Sequence, residues 1–262
     1  LRQIHGEALL DSVRIAGNAS SGLGGGIFSY EVQALKLLNS AVVRNTAESG
    51  AAISHMSGLN PSNFAVTIES TKFEENVASD VRVLDIYAES VNISRVVFVG
   101  NSTLNSVYQC IEISALNLLI SESTFERNSC GRGVFNLSGT ESINLTKSTL
   151  RENSNSYTGN RKRLAYLSSN GRLSVTKNFI KGISEPFQLS FSNYGFEETE
   201  VAIHGNLLDG PNVELIGNAD PDTDIQMTQN TLVNFISTNL LDIGENTAIL
   251  VQNNIFKAEN SG

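Results

Sequence analysis

The sequence predicts an all-β fold: a single-stranded right-handed parallel β-helix, a solenoid of about ten rungs with 24–31 residues per rung, formed as one domain over residues 1–262. Three observations predict it. A short phrase recurs along the whole chain, no window sustains a helical apolar period, and asparagine returns at a fixed distance from each phrase. The phrase is apolar, polar, x, polar, x, apolar, x, x, Asn. It reads Ile68-Glu-Ser-Thr-Lys-Phe73-Glu-Glu-Asn76, Ile93-Ser-Arg-Val-Val-Phe98-Val-Gly-Asn101, Ile120-Ser-Glu-Ser-Thr-Phe125-Glu-Arg-Asn128 and Leu145-Thr-Lys-Ser-Thr-Leu150-Arg-Glu-Asn153.

With the second apolar position as anchor, the series is Ile15, Val42, Phe73, Phe98, Phe125, Leu150, Ile180, Leu208, Leu232 and Phe256. Stacked one above another, these side chains form an internal column in which Phe73, Phe98 and Phe125 are an aromatic stack. Each unit also carries a second apolar stretch after the Asn: Val81–Tyr87, Gln109–Ile113, Gly133–Leu137, Leu164–Leu167, Phe187–Phe191 and Leu240–Ile243. These stretches run or alternate apolar between Asn, Ser and Gly, as short strands do. A unit of three short strands and three turns cannot bury its apolar face alone. At about 4.8 Å per rung, ten stacked units make a rod on the order of 50 Å long. A leucine-rich repeat has a similar period but needs a dense Leu-x-x-Leu-x-Leu phrase, which is missing here.

The asparagines number 29 and mark the corners. In the first six rungs they follow the anchor by three residues: Asn18, Asn45, Asn76, Asn101, Asn128 and Asn153. In the last four they precede it by two: Asn178, Asn206, Asn230 and Asn254. Asn tolerates left-handed backbone geometry and, stacked on itself, forms an amide ladder, so the expectation is a corner ladder that changes position midway.

In this repeat the chain resembles the right-handed parallel β-helix superfamily of pectin-lyase-like proteins, over essentially its whole length. The resemblance implies the fold and leaves activity open. Enzymes of that superfamily set carboxylates with Lys or Arg on the exposed face of one sheet, and their phrases are Asn-Thr-Asp, Asp-Asp, Gly-His-Gly and Arg-Ile-Lys. None is complete here: His5-Gly6 and His204-Gly205 are fragments, and adjacent Asp-Asp does not occur. Asp80 and Asp85, or Glu74 and Glu75, read as solvated strand and turn charges, so no catalytic residue is assigned. Phrases such as Ser-Thr-Phe-Glu-Arg-Asn and Gly-Gly-Gly-Ile-Phe-Ser look similar to β-helix repeats of animal cell-surface proteins, of the kind that organises tricellular junctions in insect epithelia.

The remaining candidates are local. Asp220, Asp222 and Asp224 stand two apart and read first as a solvated turn, with Ca²⁺ binding by hard oxygens as the alternative. Gly22–Gly26 lacks the Lys-Ser/Thr of a phosphate loop and reads as a tight corner before a strand at Ile27–Tyr30. Arg161-Lys162-Arg163 is a basic cluster of a long rung. N-glycosylation sequons occur at Asn18, Asn92, Asn101, Asn136 and Asn144, no more often than composition alone gives. Cys110 and Cys130 are either a bridge or two buried thiols; the repeat puts Val134 in register with Cys110, so a bridge has to cross a corner.

A net charge of −9 argues against nucleic acid as a partner. No apolar run reaches the roughly 18–20 residues of a bilayer span, so direct membrane insertion by this segment is not expected. The chain opens at Leu1 and shows no capping helix, so it reads as a segment of a longer protein whose neighbours cover the strand edges. The functional expectation is a non-enzymatic extracellular scaffold for recognition or adhesion, with a protein or glycan of the cell surface as partner and no cofactor. The alternatives are a secreted lyase or hydrolase of acidic glycans, and a bacterial adhesin or phage tailspike rod.

Overall fold

A computed structural model of the chain describes residues 2–4, 6–57, 63–105, 107–155, 164–181, 187–192, 200–210, 213–218, 224–234, 241–243 and 248–257. Within them the elements are β-strands, and the strands pair in parallel with the strand one repeat away. The chain is a parallel β-solenoid of about seven turns. The ten repeat phrases still each supply one strand of a ten-stranded sheet.

The anchors stack in register in that sheet. Ile15 lies opposite Val42, Val42 opposite Phe73, Phe73 opposite Phe98, and the series continues through Phe125, Leu150, Ile180, Leu208, Leu232 and Phe256. From Val42 to Leu232 these side chains are buried. The ring centroids of Phe73 and Phe98 are 5.9 Å apart and those of Phe98 and Phe125 6.1 Å, and Phe135 meets Phe125 edge-on from the opposite wall at 4.6 Å. Fully burying each ring contributes about 1.5–3 kcal/mol. The column is open at its ends: Ile15 is half-buried, and Phe256 is 44% exposed.

The unit is richer than three strands. A large sheet holds two strand columns, exemplified by Leu84–Tyr87 and Ser90–Ser94, which the long strands Gln109–Ser121 and Gly133–Thr146 join into continuous walls. Side chains alternate along these walls, as at Ser90–Ser94, where Val91 and Ile93 point into the core. A third sheet of two-residue strands such as Val77–Ala78 and Ser102–Thr103 closes the side that follows the anchors. The glycine run leads into the strand Ile27–Tyr30 as expected. A Cβ at Gly25 would stand 2.5 Å from the Thr46 carbonyl oxygen, so only glycine lets these rungs approach.

The corners depart from the sequence expectation in two ways. First, the ladder asparagines do not use left-handed geometry; the residue before each corner position does. Three residues before the anchors, Ser12, Asn39, Ser70, Arg95, Glu122, Lys147, Lys177, Gln229 and Asn253 have φ between 48° and 58°. Two residues after the anchors, Arg44, Glu75, Arg127, Glu152 and Asn234 do the same. The left-handed residue points its side chain to solvent, and the next residue turns inward to the ladder, which leaves Asn free for bonding rather than for bending.

Second, the ladder does not change position; there are two corner columns. After the anchor, Asn18, Asn45, Asn76, Asn101, Asn128 and Asn153 stack. Each of the first five donates both its backbone N–H and its Nδ2 to Oδ1 of the next. From Asn45 onward Nδ2 also donates to the anchor carbonyl of the preceding rung, at Ile15, Val42, Phe73, Phe98 and Phe125. Before the anchor, a second column begins with hydroxyls: Val13 N–H donates to Ser40 Oγ, Ser40 N–H to Thr71 Oγ1, Val96 N–H to Ser123 Oγ and Ser123 N–H to Ser148 Oγ. Ser148 N–H then donates to Asn178 Oδ1, and the column continues as amides through Asn206, Asn230 and Asn254.

Candidate functional site

The outward side chains of the wall that follows the third sheet decide the site. Strand register places Ser54, Asp85, Glu112, Asn136 and Tyr166 in one outward column, one per rung. Beside it runs a second outward column, Tyr30, Met56, Tyr87, Ser114 and Ser138. Between the second column and the chain at Ala88, Leu116 and Thr140 lies a groove of about 550 Å³, whose wall includes Arg82, Asp85 and Tyr87.

The polar wall is a closed network. Arg82 Nη1 lies 3.3 Å from Asp85 Oδ1, and Arg82 Nη2 lies 2.7 Å from Glu112 Oε2. Ser49 Oγ donates to Asp85 Oδ2 at 3.2 Å. Tyr87 OH donates to Glu112 Oε1 at 3.2 Å, and Asn136 Nδ2 to Glu112 Oε2 at 3.0 Å. The Arg82 guanidinium also sits 5.5 Å from the centroid of the Tyr108 ring. All four carboxylate oxygens of the pair are thereby taken by protein donors.

Asp85 is therefore not the solvated charge its sequence context suggests: it is 3% exposed. Burial raises its pKa above the ordinary carboxylate value, Glu112 adds to the rise, and Arg82 opposes it. Burial, with the nearby Glu112 carboxylate, pushes the Tyr87 phenol up to about 12, so it stays a donor.

A second buried polar group lies inside the coil. His55 is fully buried, its Nδ1 is 2.8 Å from Ser29 Oγ, and its Nε2 has no hydrogen-bond partner. Desolvation lowers its pKa from 6.5 to about 4, so it is a neutral core residue.

The residues singled out in the sequence scatter. Cys110 and Cys130 form a disulfide with a Cα separation of 5.3 Å, and the bridge crosses a corner: Cys110 is the second residue of the long wall strand Gln109–Ser121, while Cys130 ends a strand of the third sheet. Among the sequons, Asn101 is fully buried with its Nδ2 committed to Phe73, Val99 and Asn128, so the folded rung has no room for a glycan there. Asn136 is half-buried and holds Glu112, Asn144 is half-buried, and Asn18 and Asn92 are exposed. Asp224 opens the strand Asp224–Thr228 and accepts from Gln226 Nε2; Asp220, Asp222 and the cluster Arg161-Lys162-Arg163 lie outside the described residues. Among the described residues no group of three His, Cys, Asp or Glu is placed to hold a metal ion. His204 Nδ1 lies 2.9 Å from Thr228 Oγ1, and His5 is outside the described residues.

Sequence reasoning missed Arg82, Glu112, Tyr87 and the role of Asn136. A signal existed in the second apolar stretches: aligned on one another, Leu84-Asp-Ile, Ile111-Glu-Ile, Phe135-Asn-Leu and Ala165-Tyr-Leu expose the outward column directly. No protein-family model, no curated protein and no solved structure matches the chain. What stands established is the architecture: the chain is an all-β parallel solenoid.

Proposed function

We propose that this chain is a non-enzymatic recognition scaffold of an extracellular or cell-surface protein, and that the groove beside Tyr87 is where it engages a protein or glycan partner. The observation that carries the reading is that every oxygen of the buried Asp85–Glu112 pair is already engaged by a protein donor. A general acid or a nucleophile must offer an oxygen to the substrate, and here each carboxylate oxygen already holds a donor. Such a network rigidifies a groove wall. The Cys110–Cys130 bridge supports an oxidising, extracytoplasmic setting, and the exposed sequons at Asn18 and Asn92 are compatible with it. The likeness of the repeats to tricellular-junction β-helix proteins suggests a role at cell–cell contacts.

A specific observation favours hydrolysis or lysis of a glycan as the second reading. Asp85 and Glu112 face outward on adjacent rungs, one with a raised pKa, and paired carboxyls on one surface are the glycosidase arrangement. The folded protein is to be incubated with acidic and neutral polysaccharides, reading unsaturated products by ultraviolet absorbance and hydrolysis by reducing ends. The scaffold reading expects no turnover and retention of one ligand on a glycan or surface-protein array. Turnover that disappears in Glu112→Gln would overturn it.

A further inference from the structure

We propose that Asn92 is the residue of this chain that carries an N-linked glycan. This goes beyond the recognition reading and rests on its extracellular setting alone. Five Asn-x-Ser/Thr sequons are present, and the fold separates them by one property, the freedom of the Asn Nδ2. Transfer joins that nitrogen to C1 of an N-acetylhexosamine. The bond from C1 to the diphosphate of a lipid-linked oligosaccharide breaks, the lipid diphosphate leaves with the electron pair, and Nδ2 gives up one proton. An amide bound into the coil cannot carry that product in the native fold. Asn101 spends its Nδ2 inside the core on Phe73, Val99 and Asn128, Asn136 spends it on Glu112, and Asn18 on Asn45. Asn144 is half-buried. Asn92 is exposed, and its side chain has no hydrogen bond to a described residue.

The second support is the surface around it. Asn92 is the middle residue of the strand Ser90–Ser94 and points outward between the buried Val91 and Ile93. Ser94, the hydroxyl of the sequon, faces the same side two residues on. Residues 90–94, 117–121 and 142–146 lie on three successive rungs of this wall and contain no charged side chain. In register with Asn92 stand Thr67 on one neighbouring rung and Leu119 on the other, with Asn144 one rung further. Asn92, Asn117, Leu119, Ser142 and Asn144 border a shallow hollow of about 240 Å³. A first sugar attached at Asn92 has room there: its ring lies over the Leu119 side chain, and seating it strips water from no charged group.

The test is to secrete the intact chain from cultured human cells behind an added, cleavable signal peptide. Glycans are then released with a peptide N-glycosidase in heavy-oxygen water, and each Asn converted to labelled Asp is mapped by mass spectrometry. Asn92 should be occupied in most molecules, and Asn101 and Asn136 in none of the folded, disulfide-bonded fraction. Asn92→Gln and Ser94→Ala should each remove one glycan from the intact mass, with unchanged circular dichroism. Ser94→Ala leaves the Asn92 amide in place, so its loss of the glycan reports transfer through the sequon and not a damaged fold. A secreted chain with the Cys110–Cys130 bridge formed and Asn92 bare would overturn the proposal. Occupancy at Asn92 no higher than at Asn101 or Asn136 would overturn it too, because the fold would then not be selecting among the sequons. Protein taken from its own cells with Cys110 and Cys130 as free thiols would instead remove the extracellular setting, and the glycan with it.

Discussion

The N-terminal and C-terminal rungs solve the same problem with different side chains. In the first six rungs the amide ladder runs after the anchor, and the corner before it is served by the hydroxyls of Ser40, Thr71, Ser123 and Ser148, with valine at Val13 and Val96; in the last four the corner before the anchor carries the amides. A hydroxyl accepts one N–H from the neighbouring rung and spends its proton locally, as Ser123 and Ser148 do on the carbonyls of Ser121 and Thr146. An amide accepts two bonds from one neighbour and donates in both directions, so it ties three rungs together: Asn206 accepts from Asn178 and donates to the Val175 carbonyl on one side, and donates to Asn230 on the other. Hydroxyl corners close the backbone; amide corners also staple the stack.

The largest effect should come from breaking one staple of each kind. Asn101→Ala removes the acceptor of the Asn76 N–H and the side-chain donor to the Phe73 carbonyl, and it costs Asn76 Nδ2 and Asn128 Oδ1 one bond each, leaving them Val42 O and the Asn101 N–H. With about 1–3 kcal/mol for each buried polar group left unsatisfied, the loss should reach about 4 kcal/mol. Ser123→Ala orphans the Val96 N–H and frees a carbonyl near the surface, and should cost about 1–2 kcal/mol. Urea unfolding of both variants measures the ratio, and equal losses would erase the distinction between the two columns.

Acid should separate the same two regions. His55 belongs to an early rung and is held neutral by burial, with its folded pKa near 4 against 6.5 when unfolded. As pH falls through 6.5 the unfolded chain binds the proton first, so this contribution to stability is complete above 6.5 and is lost progressively toward pH 4. The loss has an upper bound of about 3 kcal/mol, at 1.36 kcal/mol per pKa unit. Asp85 works the other way: its raised folded pKa lets the native state take up a proton more readily, which favours folding as pH drops below its folded value. Hydrogen exchange at pH 4.5 should therefore show protection falling first in Ile53–Met56 and its neighbours, before Glu200–His204. His55→Leu should flatten the acid limb; an unchanged limb would assign it to the carboxylates.

Much of the architecture is legible in the sequence because a solenoid repeats its constraints. One apolar anchor per rung, in a fixed frame, is enough to fix the register of ten strands, and the anchors pair as their spacing predicts. The corner chemistry is half legible. Asparagine advertises itself, but Ser40, Thr71, Ser123 and Ser148 do the same work in a chain with 32 serines, where no single one stands out. The groove is least legible, because its members come from five successive rungs, each of which contributes one to four residues far apart in sequence. Asp85 in isolation is an acid in a strand. Only the fold shows it at 3% exposure, between Ser49 from one rung and Arg82 from its own.

The smallest effect is the sharpest test of what the two columns have in common. If the column before the anchor asks only for an oxygen that accepts the neighbouring N–H, Asn206→Ser should be tolerated, because Ser148 fills the same place two positions below in that column. The substitution keeps an acceptor for Asn178 N–H but removes the donations to Asn230 Oδ1 and to the Val175 carbonyl. With net hydrogen bonds worth about 0.5–1.5 kcal/mol each, the cost should be about 1–2 kcal/mol, well below that of Asn101→Ala. The same change made after the anchor, Asn101→Ser, should cost clearly more, because no rung from Asn18 to Asn153 uses a hydroxyl there and the shorter side chain cannot bridge to the anchor carbonyl of the rung before. If the two Ser variants proved equally stable by urea titration, the asymmetry between the columns would be a matter of sequence history and not of corner geometry.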